Sequence, residues 1–202
     1  MTAPSLTPVQ LEQLRRFSTC LIASAIESFQ VRLPNTGFSD STIRCIFEDL
    51  PPIVGYAATA RIRTADPPME GGGYIYDRTD WWKEILAVPA PRIVIIQDVD
   101  SQPGLGAFVG EVHANILQAL GCVGLITNGA VRDLNVIQGS GFQCSLAMSP
   151  SHMPMPTYLI SAVRLTWPAC IFAPEICFTP TVTAFSRYQR KLPIEFHPWP
   201  LR

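Results

Sequence analysis

A chain of 202 residues suits one domain, or one domain with an extension, and its 48% hydrophobic content can fill a sizeable core. A formal net charge of −1, with Lys and Arg scattered along the chain, excludes the basic stripe that nucleic acid or an anionic membrane surface requires. The opening MTAPSLTPVQLEQLRR lacks a basic segment leading into an apolar one, and no apolar run reaches the roughly 18 residues of a membrane span, so a cytoplasmic protein without nucleic-acid or membrane partners is expected.

Thr7, Pro8 and Gln10 form a helix start: a side-chain cap, a proline at the first helical position and a capping-box partner. Leu11, Leu14, Phe17, Leu21 and Ala25 recur at helical spacing and predict one helix with a single buried face. Residues 53–63 (IVGYAATARIR) read as a strand, 66–80 as a mobile polar, glycine-rich loop, and 81–88 as a short helix whose Trp81 and Trp82 suit a core or subunit contact. Residues 92–99 (RIVIIQDV) have the β-branched continuity of a strand buried on both faces, ending at Asp98 and Asp100. A glycine-rich loop over 101–110 precedes helical periodicity from Glu111 to Leu120. A second buried strand over 122–127, a tight Asn128-Gly129 turn, Val131-Arg132-Asp133, a short helix to Gln138 and a third strand over 142–146 follow. This alternation implies an α/β domain with a largely parallel core. The six cysteines include no C-x-x-C, and four lie in apolar segments, which suits reduced buried thiols better than disulfides or structural zinc.

Ligands of open α/β sheets gather beyond the carboxyl ends of strands, where this chain carries two suitable groups. The glycine loop entering the helix at Gly110-Glu111-Val112-His113 offers free backbone N–H groups and a helix dipole to a carboxylate or phosphate. Arg132 can grip a carboxylate or enolate, and Asp133 can hold a hard cation through oxygen. From the residues alone, a plain loop connection, a helix cap and a surface ion pair remain open as alternatives.

The segment GEVHANILQALGCVGLITNGAVRDLNVI resembles the signature of the RraA-like family, which includes class II 4-hydroxy-4-methyl-2-oxoglutarate aldolases, some of whose relatives carry demethylmenaquinone methyltransferase labels. Ser18-Thr19 and Ala25 in the opening helix, Val54-Gly55-Tyr56-Ala57 and the strand ending in aspartate occur in the family's order. The resemblance spans residues 7–152 and implies a swivelling β/β/α domain. It further implies Asp133 as the direct Mg²⁺ or Mn²⁺ ligand, Arg132 as the group that binds the 2-oxo acid and its enolate, and Glu111 as a catalytic carboxylate reaching the ion through water. The amides of Gly110, Glu111, Val112 and His113 would hold the substrate carboxylate. Cleavage of 2-oxo acids to pyruvate, oxaloacetate decarboxylation and a homotrimer or hexamer are likewise implied, as is an alternative role in binding and inhibiting a ribonuclease complex. A methyltransferase activity has no glycine-rich cofactor loop with an acidic ribose partner to support it. Two positions depart from the family pattern: Asn128 stands where aspartate is usual, and His113 replaces an apolar residue. Asn128 suits the turn before glycine, and His113 is expected on the helix surface, with proton transfer as its alternative role.

Residues 153–202 change character, with prolines, cysteines and tryptophan but no clear strand or helix pattern. Taking the third base of each codon with the first two of the next allows MPMPTYLI to read AHAHLLD. The same shift lets WPACIFAPEICFTPTVTAF read AGLHLRTGDLLHADRHGF, which resembles the family's closing Gly-Asp-Leu-Leu segment. This tail is therefore expected to come from a shifted reading frame, either real or a sequencing or gene-model error; a real shift would leave a weakened or inactive relative, and a divergent, proline-rich disordered tail is the alternative.

Overall fold

The computed structural model describes residues 6–29, 43–64, 78–147, 159–161 and 170–172. In chain order the elements are α1 (Pro8–Arg15), α2 (Thr19–Ser28), β1 (Arg44–Cys45), β2 (Ile53–Arg63), α3 (Arg78–Leu86), β3 (Arg92–Asp98), β4 (Ala107–Val109), α4 (Glu111–Ala119) and β5 (Cys122–Thr127). They continue with β6 (Ala130–Val131), α5 (Leu134–Gly139), β7 (Gln143–Leu146), β8 (Leu159–Ser161) and β9 (Cys170–Phe172).

The capping box at Thr7 forms as expected, with Thr7 and Gln10 bonded reciprocally. The single opening helix is instead two. Ser18 takes an extended conformation and accepts a hydrogen bond from the Leu21 N–H at 3.3 Å, so a second helix starts there with a new phase. Ile22 and Ile26 consequently face the core, while Leu21 and Ala25 are exposed.

β2, β3, β5 and β7 form a parallel sheet in the order β7-β5-β3-β2, as the strand–helix alternation predicted. The antiparallel strand β1 closes the β7 edge. Short antiparallel strands β8 and β9 lie against opposite ends of β2, where the sequence had shown no strand pattern. Their pairing shows that three-residue ladders need only an available edge and not a long alternating run. The rest of the 153–202 tail, and loop residues 65–77, lie outside the described residues, whereas Arg78–Asp80, expected in that loop, already belong to α3.

Period-two alternation divides the core. Val94 and Ile96 face α3, α4 and α5 in a cluster that includes Trp81, Ile85, Ala114, Leu117, Leu125, Val131 and Ile137. Ile93 packs on the opposite face with Ile53, Ala57 and Ile126, so the strand is buried on both sides as expected. Arg92 joins the helix ends to the sheet: its guanidinium donates to the carbonyls of Leu86, Val88 and Leu120. No helix among the described residues is long and apolar enough to cross a membrane.

Candidate functional site

β4 and β6 pair in parallel at the carboxyl end of the main sheet, with Ala107 opposite Ala130 and Val109 opposite Val131. The ladder ends with the Arg132 N–H donating to the Val109 carbonyl at 3.0 Å. Gly110 follows β4 as the cap of α4, and Arg132-Asp133 follows β6, so the two segments singled out in the sequence meet. A side-chain carbon on Gly110 would lie 2.6 Å from Asp133 Oδ2 and 2.8 Å from Arg132 Cγ and Nε. Space accounts for this glycine, since its φ of −143° is open to any residue.

Asp133 adopts left-handed backbone, φ 61° and ψ 33°. From there its carboxylate does not cap its own helix, α5. Oδ2 accepts instead from the Glu111 N–H, the first amide of α4, at 3.1 Å, and lies 3.6 Å from Arg132 Nε. Oδ1 accepts no hydrogen bond among the described residues and is available to a hard cation or a water. The Arg132 and Asp133 side chains are 41% and 43% exposed, so they can reach a ligand and their own pairing contributes little stability.

Glu111 is exposed at the same helix start, with no ion pair to its carboxylate among the described residues. Val112 presents its side chain to solvent, leaving its N–H as its polar group at this helix end. His113 is not on the helix surface. It is buried together with Ala114 and Leu117, and its ring stacks 4.9 Å from Phe108, which in turn contacts Trp81. The helix phase explains the difference: one turn of α4 packs positions 113, 114 and 117 against the sheet and turns Val112 outward. Gly110, Glu111, Arg132 and Asp133 are thus brought together, while the amides of Val112 and His113 lie in the same first turn. The Glu111 amide is already occupied by Asp133, which leaves a smaller cradle for a substrate carboxylate than the sequence suggested.

Among the described residues, no three His, Cys, Asp or Glu groups converge as a ready-made metal cage. A Mg²⁺ site does not demand one, because this ion keeps several waters and is often held by one or two carboxylates plus substrate oxygens. The open Oδ1 of Asp133, with Glu111 nearby on α4, fits that type of site.

A buried acidic network supports the loops behind it. Asp98 and Asp100 are 2% and 6% exposed at the end of β3. Asp98 accepts from the amides of Gly104 at 2.8 Å and Asp100 at 3.1 Å, and Asp100 from the Thr64 amide at 2.7 Å. The Thr64 hydroxyl lies 3.3 Å from Asp98 and 3.0 Å from Asp100, so its proton can serve one of them at a time. Burial, followed by the negative charge of Asp100, raises the Asp98 carboxyl above the ordinary aspartate range, against the lowering effect of the amide donors. The sequence marked the two aspartates but not Thr64, Gly104 or the β4–β6 ladder. The two residues of β6 are too few to show a period.

With this geometry in view, the decisive comparison is a family match over residues 19–157, to the RraA-like model described as Aldolase/RraA. The chain belongs to the RraA-like family. Solved structures agree on the fold. One described as a novel cellulase from microbes of the gut ecosystem has a TM-score of 0.68 at 17% identity, covering 93% of this chain and 84% of the other. RraAS2 of Streptomyces coelicolor, described as an unusual member of the RNase ES inhibitor RraA family, has a TM-score of 0.60 at 13% identity, covering 93% and 94%. An uncharacterized protein of Pseudomonas syringae pv. tomato gives 0.66 at 14% identity, covering 94% and 84%. No curated protein matches the sequence.

Proposed function

We propose that this RraA-like chain is a divalent-metal-dependent lyase that cleaves 4-hydroxy-4-methyl-2-oxoglutarate-type 2-oxo acids to pyruvate and also decarboxylates oxaloacetate. The observation that carries the reading is the convergence of Arg132 and Asp133 on Gly110, whose lack of a side chain makes room for them, with the Glu111 amide bonded to Asp133. Asp133 would hold Mg²⁺ or Mn²⁺ through Oδ1, and the ion would supply Lewis-acid polarisation of the 2-oxo carbonyl.

The remaining work falls to the chain's own groups. Arg132 binds a substrate carboxylate and offsets the negative charge that develops as the C3–C4 bond breaks. Glu111 accepts the proton of the C4 hydroxyl as that oxygen becomes the carbonyl of the departing pyruvate. Protonation of the remaining enolate at C3 gives the second pyruvate. In oxaloacetate the bond to the carboxylate breaks instead, carbon dioxide leaves, and the same enolate results, so one set of residues serves both reactions.

Pyruvate release from each substrate, followed with lactate dehydrogenase and NADH, tests the proposal. Turnover is expected with Mg²⁺ or Mn²⁺, and its loss with EDTA or on Asp133→Ala. Activity indifferent to both would overturn the metal assignment. Absence of turnover together with a stable complex with a ribonuclease would favour the inhibitory role instead.

A further inference from the structure

Behind the Arg132-Asp133 loop lies a contact that no part of the proposed chemistry uses. The Asn128 side chain pairs with both backbone polar groups of a single residue: its Oδ1 accepts from the Asp98 N–H at 2.7 Å, and its Nδ2 donates to the Asp98 carbonyl at 2.9 Å. An asparagine before glycine would ordinarily serve its own turn, yet here it reaches across from the end of β5 to the end of β3. The local turn bond is made by Thr127, whose hydroxyl accepts the Gly129 N–H at 2.9 Å. Gly129 sits close against Asp98, where an added side-chain carbon would lie 3.3 Å from the Asp98 Cβ.

The Asp98 residue gripped in this way is itself fixed, since its carboxylate is bonded to the amides of Gly104 and Asp100. The loop it organises runs into β4, and the turn it anchors runs into β6. Those two strands pair with each other and carry Gly110 on one side and Arg132-Asp133 on the other. We propose that Asn128 is a positioning residue for the Arg132-Asp133 site, its amide locking the exit of β5 to the exit of β3 and thereby holding β6 in register with β4.

In this chain the amide supplies both bonds of the clamp. An aspartate of the same shape could still accept from the Asp98 N–H, but when ionised it has no hydrogen to give the Asp98 carbonyl. It would also add a third carboxylate beside the buried Asp98 and Asp100, at a point where charge is costly. The kinetic part of the inference rests on the proposed lyase function; the structural part does not.

The test compares wild type, Asn128→Asp and Asn128→Ala; the alanine variant removes both bonds without adding charge, so the test survives a folding failure of the aspartate variant. Hydrogen exchange is read at the Arg132 amide, which closes the β4–β6 ladder, and at the core amides of β3 and β5. Loss of the clamp is expected to speed exchange at Arg132 by about ten-fold or more relative to the core amides, the scale of one or two lost part-buried hydrogen bonds. Steady-state kinetics should show KM rising as kcat falls, because a displaced Arg132 grips substrate less well. Uniform acceleration of all amides, or kcat falling in proportion to folded protein at unchanged KM, would reduce Asn128 to a general structural residue and overturn the proposal. If wild type turns over no 2-oxo acid, the lyase reading fails and the exchange comparison alone decides the positioning role.

Discussion

Left-handed backbone at Asp133 gives the site an energetic signature separable from its chemistry. A residue with a side chain held near φ 61° carries a cost of about 1–2 kcal/mol that glycine avoids. The partly exposed hydrogen bond from the Glu111 amide to Oδ2 returns about 0.5–1.5 kcal/mol. Asp133→Ala keeps the backbone cost and loses the bond, so it should destabilise by about 1 kcal/mol or more. Asp133→Gly loses the same bond but relieves the backbone, and should be about 1 kcal/mol more stable than the alanine variant, or about 2–4 °C in Tm for a chain of this size. That order reverses the usual one, since glycine in an ordinary helix or strand is less stable than alanine by roughly 0.5–1 kcal/mol. Asp133→Asn retains an oxygen acceptor and a residue type that tolerates this conformation, so it should stay close to wild type in stability while losing the anionic ion ligand. Thermal and urea unfolding of the four proteins, alongside pyruvate release, provide the assay. A glycine variant less stable than the alanine variant would refute the backbone argument, and an asparagine variant with full metal-dependent activity would refute the ligand assignment.

Gly110→Ala should lower pyruvate-forming activity by about ten-fold or more, because its new methyl group would displace Arg132 and Asp133 and misplacing reacting groups by about 1 Å can cost two orders of magnitude; kinetics on the folded variant check this. The Asp98 carboxyl, raised by burial and by Asp100, binds its proton more tightly when folded than when unfolded. Its contribution to stability is therefore full below the unfolded value near 3.8 and is lost as pH rises through the higher folded value. Carbon NMR titration of the carboxyl, with urea melts across the same pH range, should show both effects. Burial raises the thiols of Cys122 and Cys144 to about 12 and raises that of Cys45 as well, so native protein treated with iodoacetamide at neutral pH should be alkylated at exposed Cys20 before any of these three, as read by peptide mass spectrometry.

The parallel core was legible because each buried strand carries its own signal. The β-branched run of β3 and the bounds of β2 and β5 follow from apolar continuity between turn residues. The family signature likewise drew attention to Arg132, Asp133 and Gly110, which the fold brings together. What the sequence hid are features set by tertiary packing. Ser18 restarts a helix because its side chain caps a new one, yet Leu21 and Ala25 fit the old period equally well. His113 is buried because α4 turns it onto Phe108, a phase that periodicity alone did not reveal. The strand pairs β4–β6, β2–β8 and β2–β9 involve two or three residues on their shorter side and exist only as partners of something else. For residues 153–202 a shifted reading frame remains our proposal, motivated by the hidden Gly-Asp-Leu-Leu run. Sequencing the transcript across codons 140 to 202 tests it, and codons incompatible with that run would overturn it.

The central claim, a metal-dependent lyase built on Arg132, Asp133 and Glu111, is tested most directly by pyruvate release from 4-hydroxy-4-methyl-2-oxoglutarate. The purified chain would be assayed after EDTA treatment and again after addition of Mg²⁺ or Mn²⁺, with Asp133→Asn in parallel. Activity that is absent after chelation, returns with the ion and does not return in the variant is the predicted result. Turnover that persists without the ion or in the variant, or no turnover by the folded wild-type protein under any of these conditions, would contradict the claim.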